Sequence, residues 1–280
     1  MNELMAALSL VNNSYFATID EDNNLISVDD NSVEAIDVQG AMLINTTGGS
    51  SKGYQPKWLI GNKFVKLDTL GYESLAEITA SWFMSNIKSD IKFVKYYPCV
   101  IFKGHKKLGY GCYSIDFRDG NNEISLLKIM QNLMLDVNIS YDDLRFELIK
   151  ELGVDIKPEL DKMLCVDSIL RNEDRHFRNI SLLDKGGKFE LSPIFDTGDS
   201  LLSDLHNYPL KDDLSGYLEH THAKPFYTDY KRQLSMNERL LINPEELFEK
   251  FKISNIYSER IKAVLEYGLK DMEGIAWQRY

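Results

Sequence analysis

The sequence predicts an α+β fold in two parts, a β-rich first half with one helix and a mainly helical second half. Short β-type runs fill the first 118 positions, and apolar residues at spacings of three and four dominate after about position 124. We expect lobes at 1–118 and 119–280, with the polar segment 116–123 as the hinge. A chain of 280 residues is long enough for two lobes around a cleft.

Strands and turns alternate through the first half. Apolar residues recur at helical spacing from 73 to 87, which predicts the one helix of this half. Residues 48–53 are rich in glycine and predict a flexible loop between strands. The predicted strands are 15–19, 57–60, 63–67, 92–96, 99–102 and 111–115, and a short apolar run stands at 41–44.

The second half carries helix start and stop signals. Capping residues, a proline at the start and a glycine at the end mark its helices. The predicted elements are a helix that Ser140 caps and Gly153 ends, a helix from Pro158 through Leu170, a hairpin of 180–183 and 188–191, and a helix that begins at Asn243.

Composition and charge argue against several function classes. The chain has 32 Lys and Arg against 43 Asp and Glu, and its formal charge of −11 repels phosphate backbones, so we expect no direct nucleic-acid binding. No run of about 18 apolar residues occurs, and the N-terminus lacks a basic signal region, so we expect a cytoplasmic protein outside the membrane. Three cysteines without a CxxC pair indicate reduced thiols.

The most informative stretch is the polar loop 172–179, which follows an apolar helix. It places Asp174 and Asn179 with four residues between them, the spacing of the base aspartate and the metal-binding asparagine in protein kinases. Further along, Asp196 stands two positions before Gly198, where the later metal aspartate is expected. Phosphoryl transfer needs these groups, because a carboxylate orients the hydroxyl and oxygen ligands hold Mg²⁺.

Two features depart from the ordinary kinase pattern. Arg175 and His176 follow the base aspartate, and Thr197 stands where phenylalanine is usual. The arginines of the loop, Arg175 and Arg178, have two open interpretations: contact with a phosphate or peptide, or ion pairs with Glu173 and Asp167. Asp-Thr-Gly is also the nucleophile loop of aspartic proteases, but that site needs two such loops and this chain has one.

Candidate phosphate-binding groups precede the polar loop. Lys66 lies on a predicted strand and would contact the α- and β-phosphates of ATP. Its counter-ion is expected on the next helix, where Glu77 is favoured because it adjoins Ile78 on the apolar side, and Glu73 remains open. The glycine-rich loop offers backbone N–H groups that would surround phosphates, at Gly48, Gly49, Ser50, Ser51 and Gly53.

Four motifs in this order resemble the HipA-like serine/threonine kinases, in the short form typified by HipT and the cell-translocating kinase branch. They are GSSKGYQPK at 49–57, FVKL at 64–67, NEDRHFRN at 172–179 and SPIFD at 192–196. The resemblance covers about 46–201. It implies a two-lobed protein-kinase-like fold that transfers the γ-phosphate of ATP, with Mg²⁺, to serine or threonine hydroxyls of a protein substrate.

The resemblance also implies roles for matching residues in the second half and on the ATP strand. Asp174 would be the catalytic base. Asn179 and Asp196 would hold Mg²⁺, and Lys66 would contact the ATP phosphates.

Further implied roles concern adenine and regulation. Ser114, Asp116 and Phe117 would lie near the adenine as the hinge. Autophosphorylation of Ser50 and Ser51 would eject the glycine-rich loop and stop activity, because a phosphate there repels those of ATP. Members of the family are often toxins paired with an antitoxin protein. Two other hypotheses remain open: a lipid or small-molecule kinase of this architecture, and a non-catalytic pseudokinase that binds a partner.

Overall fold

The structure is a computed structural model that describes residues 16–44, 55–235 and 240–278. Its strands are β1 (Phe16–Ile19), β2 (Leu25–Val28), β3 (Glu34–Asp37), β4 (Met42–Leu43), β5 (Lys57–Ile60), β6 (Lys63–Leu67), β7 (Tyr96–Lys103), β8 (Lys106–Ile115), β9 (Asn122–Ser125), β10 (Ser181–Asp184), β11 (Phe189–Leu191) and β12 (Phe251–Lys252). Its α-helices are α1 (Glu73–Ser85), α2 (Leu126–Asn132), α3 (Tyr141–Leu152), α4 (Lys157–Leu170), α5 (Ser215–His220), α6 (Tyr230–Ser235), α7 (Pro244–Glu249) and α8 (Ser258–Gln278).

A six-stranded sheet forms most of the first half, in the order β3-β7-β8-β6-β5-β4. The tight turn between β5 and β6 uses Gly61, whose φ of +58° lies in the left-handed region that glycine adopts without steric cost. In the resulting register Lys57 stands opposite Lys66, and Lys66 stands opposite Cys112 of β8. Directly opposite residues share a face of the sheet, so both lysines lie on one side.

Helix α1 packs on this sheet and is buried on nearly all sides. It contacts β7 and β8, and it also contacts β1. Trp82 and Phe83 are fully buried, and so is the carboxylate-bearing Glu77. Because the helix is buried on nearly all sides, the spacing of its apolar residues does not show which of its polar residues faces the sheet.

The second half is built around α4, which contacts both α6 and α8. A small sheet in the order β11-β10-β9 lies next to the polar loop that follows α4. The chain then returns to the first half, where β12 pairs in parallel with β2. The predicted boundary between 118 and 119 falls in the turn between β8 and β9 and stays a prediction. None of the described helices is long and apolar enough to cross a membrane.

The strand predicted over 92–96 is wrong. Phe93 forms only an isolated bridge to Ile194, and β7 begins at Tyr96 and continues through Pro98. The predicted strands 92–96 and 99–102 are separated by residues 97 and 98, whereas β7 runs through both positions. β3 pairs only with Cys99 to Phe102, so Pro98 lies beyond the end of β3, and its missing N–H costs no hydrogen bond to that strand.

Candidate active site

A cavity of about 310 Å³ opens between the six-stranded sheet and the loops that follow α4. Its size is within the range of small-molecule sites, which begins at roughly 300 Å³. Residues from both predicted lobes therefore meet at one concave surface. Its described lining includes Lys57, Phe64, Lys66, Tyr96, Ser114, Phe117, Glu123, Asp174, His176, Arg178, Asn179, Phe195, Asp196 and Asp199.

Lys66 contacts Glu77 of α1. Glu77 is only 1% exposed, and a buried carboxylate of this kind is favourable only with a partner such as Lys66. The other candidate, Glu73, instead accepts hydrogen bonds from the backbone N–H groups of Thr69 and Leu70, at 3.0 and 2.8 Å. Of the two glutamates that the sequence leaves open, the structure therefore pairs Glu77 with Lys66 and uses Glu73 to hold the loop before α1.

Asp196 binds two lysines at once. Its Oδ1 accepts from Lys66 Nζ at 2.8 Å, and its Oδ2 accepts from Lys57 Nζ at 2.9 Å. Burial opposes the charge of this carboxyl, but Lys57 and Lys66 outweigh it and hold the pKa of Asp196 well below its usual range. Burial likewise opposes the charge of Lys66, while Asp196 and Glu77 raise its pKa well above the usual value. Lys66 and Asp196 are thus both charged at neutral pH.

The backbone of Asp196 adopts an unusual conformation, with a φ of +57°. This left-handed conformation costs free energy for a residue with a Cβ, so contacts with neighbouring residues must stabilise it. The Asp196 N–H donates to Tyr96 Oη at 3.1 Å. The N–H and Oγ1 of Thr197 both donate to Glu77 Oε2, at 2.9 and 2.6 Å. The predicted metal loop is thereby fixed to β7 and α1.

Arg175 shapes the polar loop from inside. Its guanidinium is fully buried and donates to both carboxylate oxygens of Asp167 in α4, at 2.7 and 3.0 Å. Its Nη1 donates to the carbonyls of Asn179 and Phe195, each at 2.8 Å. Of the two interpretations that the sequence leaves open, the structure favours the ion pair. Arg175 ties the polar loop to the residue before Asp196.

Asp174 and Asn179 lie together on the cavity wall. Asn179 Nδ2 donates to the carbonyl oxygen of Asp174 at 3.0 Å, and the Asp174 N–H donates to Asn172 Oδ1 at 3.0 Å. The Asp174 carboxylate is 3.8 Å from His176 Nε2. The loop thus places a carboxylate and an amide on the wall of the cavity that Asp196 also lines.

The predicted hinge residues divide into two groups. Ser114 and Phe117 line the cavity, and the Phe117 ring stacks on Phe195 with 5.3 Å between centroids. Asp116 instead accepts from Nε and Nη2 of Arg118, at 2.8 and 2.7 Å, and these hydrogen bonds lower its pKa. Its side chain is not among the described residues that line the cavity. The predicted loop residues Gly48, Gly49, Ser50, Ser51 and Gly53 lie outside the described residues.

Sequence reasoning assigned no role to Lys57 or Tyr96. A signal for Lys57 was present, because the two-residue turn between β5 and β6 fixes the register and places Lys57 opposite Lys66. No local pattern marks Tyr96. Its position on the cavity wall depends on how β7 meets the chain near Asp196, about a hundred residues later.

The donor set fits a magnesium ion shared with a nucleotide. Mg²⁺ takes one or two carboxylates and completes its shell with phosphate oxygens and water. Asp196 offers a carboxylate, and Asn179 offers an amide oxygen on the same cavity. Within the described residues no three His, Cys, Asp or Glu side chains form a metal cluster.

Comparison with known proteins supports a fold assignment. Neither a protein-family model nor a curated protein sequence matches the chain. The crystal structure of the Helicobacter pylori proinflammatory kinase CtkA matches with a TM-score of 0.56 at 18% identity, over 87% of this chain and 98% of that one. A Shewanella oneidensis toxin–antitoxin complex of HipA, HipB and operator DNA matches with a TM-score of 0.48 at 13% identity, over 83% and 68%.

The match to the Helicobacter kinase spans nearly all of both chains, and identity at this level establishes the fold alone. The α+β, two-lobed kinase-like fold that the sequence predicted is therefore confirmed, and with it, at the level of the fold, the resemblance to HipA-like kinases.

Proposed function

We propose that the protein is a serine/threonine protein kinase that transfers the γ-phosphate of ATP to protein hydroxyls. One observation carries the proposal: Lys66, Asp174, Asn179 and Asp196 line a single cavity, although they come from distant parts of the chain. These are the residue types and the chain order that phosphoryl transfer uses in protein kinases. The contact of Lys66 with Glu77 supplies the buried ion pair that an active kinase needs.

Asp174 is the proposed catalytic base. The acceptor hydroxyl oxygen attacks the γ-phosphorus, and the bond from that phosphorus to the β–γ bridging oxygen breaks as ADP leaves. The hydroxyl proton passes to the Asp174 carboxylate. The hydrogen bonds that Asn172 and Asn179 make to the backbone of Asp174 hold this carboxylate in place, so little reorganisation is needed during the reaction.

The phosphates and the metal would share this cavity with the acceptor hydroxyl in this proposal. Asn179 and Asp196 would hold Mg²⁺, which would neutralise the charge that develops on the phosphate oxygens. Lys66 contacts the α- and β-phosphates, and Glu77 and Asp196 keep it charged and oriented. Ser114 and Phe117 contact the adenine, and Asp116 supports this segment through Arg118.

The sequence resemblance extends the proposal to the regulation and the biological role of the protein. Ser50 and Ser51 are the proposed autophosphorylation sites, and the glycine-rich loop, with Gly48, Gly49 and Gly53, covers the phosphates. The protein would act as the toxin of a toxin–antitoxin pair, with an antitoxin protein as partner. A cytoplasmic location and the absence of direct nucleic-acid binding stay predictions.

Incubation with [γ-³²P]ATP and Mg²⁺ tests the function. We expect label on the protein itself, and mass spectrometry should place it at Ser50 or Ser51. Replacement of the base, Asp174→Ala, should lower transfer at least about 100-fold. Asp142→Ala, at an exposed position on α3, is the matched control and should transfer normally.

The same assay separates the alternatives. Label found only in a lipid extract or on a small molecule would replace the protein-kinase assignment with a kinase of another acceptor class. No transfer to any acceptor, with ATP still bound, would indicate the pseudokinase. Undiminished labelling of the Asp174→Ala protein would refute the role of Asp174.

A further inference from the structure

Both carboxylate oxygens of Asp196 are held by lysines. Lys66 Nζ lies 2.8 Å from Oδ1 and Lys57 Nζ lies 2.9 Å from Oδ2. Lys66 is buried with Glu77 as a second partner, whereas Lys57 is about one-fifth exposed and Asp196 is its only recorded ion-pair partner among the described residues. Lys57 is therefore the cation that can leave the Asp196 carboxylate at lower cost.

The position of Lys57 follows from strand register. Lys57 and Lys66 are a directly opposed pair on antiparallel strands, and like charges in such a pair repel. Asp196 and Glu77 offset this repulsion, so two ammonium groups and two carboxylates form a neutral cluster. Glu77 can balance only one of the two lysines, so Lys57 depends on Asp196 for its counter-charge.

This cluster has a consequence for metal binding. A divalent cation that binds Asp196 must displace Lys57 from Oδ2, and it leaves the neutral cluster with two excess positive charges. In a partly buried site such an excess is unfavourable. The phosphates of a nucleotide neutralise this excess positive charge. They offer Lys57 a new anionic partner and supply oxygen ligands for the metal.

We propose that Lys57 occupies the metal-binding carboxylate of Asp196 until a nucleotide arrives, which makes metal binding dependent on the nucleotide. The inference rests on the proposed function and adds an order of binding to it. The nucleotide-free protein has little affinity for divalent cations. When phosphates enter the cavity, Lys57 moves from Asp196 to a phosphate oxygen and the carboxylate becomes available to the metal.

The test uses Mn²⁺ as the probe, because it accepts the same oxygen ligands and the EPR signal of the free ion reports binding. We titrate nucleotide-free wild type, Lys57→Met and Lys63→Met. Lys57→Met keeps the length of the side chain and removes its charge. Lys63 is the matched control, since it lies on the same hairpin and pairs with Glu34.

Lys57→Met should bind Mn²⁺ about 10-fold more tightly than wild type without nucleotide. It should bind the ATP analogue AMPPNP about 10-fold more weakly, because it lacks a phosphate contact. Lys63→Met should match wild type in both titrations. In the double variant Lys57→Met, Asp196→Asn the gain for Mn²⁺ should vanish, which places the metal at Asp196.

Two results would overturn the inference. One is a folded Lys57→Met protein with unchanged or weaker Mn²⁺ affinity, and Lys57→Gln repeats this comparison if the methionine variant is unstable. The other is wild type that binds Mn²⁺ equally well with and without AMPPNP. If wild type binds no AMPPNP, the proposed function fails instead, and the nucleotide-free Mn²⁺ titrations still decide whether Lys57 occupies Asp196.

Discussion

Arg175 shows how much one buried side chain can organise. It is among the largest fully buried side chains of the described residues, and its donors reach a helix carboxylate and two loop carbonyls. A buried ion pair of this kind gains stability only when nearly every donor and acceptor is satisfied. Here the satisfied carbonyls belong to Asn179 and Phe195, so the arginine fixes both segments that bear predicted metal ligands.

Removal of this arginine should therefore be costly. Arg175→Met leaves Asp167 as a buried carboxylate without its main partner, and we expect the free energy of unfolding to fall by about 3–5 kcal/mol. Urea denaturation followed by circular dichroism measures the change. Arg145→Met is the control, since its pair with Asp155 is near the surface, and it should lower the free energy of unfolding far less than Arg175→Met. Equal losses in the two variants would contradict the structural role of Arg175.

At the scale of elements, Thr197 joins the predicted metal loop to α1. Its N–H and hydroxyl both donate to Glu77 Oε2, and Glu77 also contacts Lys66 of β6. Thr197 is 1% exposed, so these bonds form without competition from water. In the kinase pattern a phenylalanine packs at this position; here a hydroxyl makes the connection by hydrogen bonding.

Loss of the Thr197 hydroxyl should weaken the contact between the predicted metal loop and α1. Thr197→Val keeps the shape of the side chain and removes one buried donor, so we expect the free energy of unfolding to fall by about 1–2 kcal/mol. The KM for ATP should rise as well, because Glu77 and Asp196 are less firmly placed. Thr197→Ser retains the hydroxyl and should restore the KM, even if some stability is lost with the methyl group. A serine variant with the same raised KM as the valine variant would refute the hydrogen-bonded junction.

At the scale of the whole molecule, the C-terminal helix supports the helix that leads into the polar loop. Gly268 of α8 lies against the backbone of Ile169 in α4, and a Cβ added there would approach the Ile169 carbonyl oxygen to 2.2 Å. The glycine therefore permits two helices to pack at close range. α4 ends at Leu170, one residue after Ile169, and the chain then turns through Arg171 in a left-handed conformation.

A pair of glycine substitutions on α8 tests this packing. Gly268→Ala should push α8 from α4 and lower the free energy of unfolding by about 1–3 kcal/mol. Gly274→Ala, on the same helix and exposed, has no atom within 4 Å of the added Cβ and should raise stability by about 0.5–1 kcal/mol through helix propensity. Thermal denaturation of both variants gives the sign of each effect. A stabilised Gly268→Ala protein would contradict the close helix contact.

Much of the fold could be predicted because its signals are local. The β5–β6 hairpin agrees with the predicted strands 57–60 and 63–67, and α1 begins at the predicted Glu73. Alternating residues and helical spacing act over a few positions, so no distant contact is needed to recognise them. The strand predicted over 92–96 is wrong because an extended segment becomes a β-strand only when it pairs with a neighbouring strand. The local sequence does not show whether such a neighbour is present.

The sequence by itself determined the predicted set of catalytic and metal-binding residues and, within the polar loop, their spacing. Asp174 and Asn179 are near each other because only four residues separate them. Glu73 and Glu77 are four residues apart and share one face of the helix, so the sequence could not decide which of them pairs with Lys66. Only the tertiary structure decided this, because the loop before α1 donates its N–H groups to Glu73 and leaves Glu77 to contact Lys66. The tertiary structure alone brought Lys57 and Lys66 to Asp196, because contacts across more than a hundred residues arise from the packing of the sheet on the helical half.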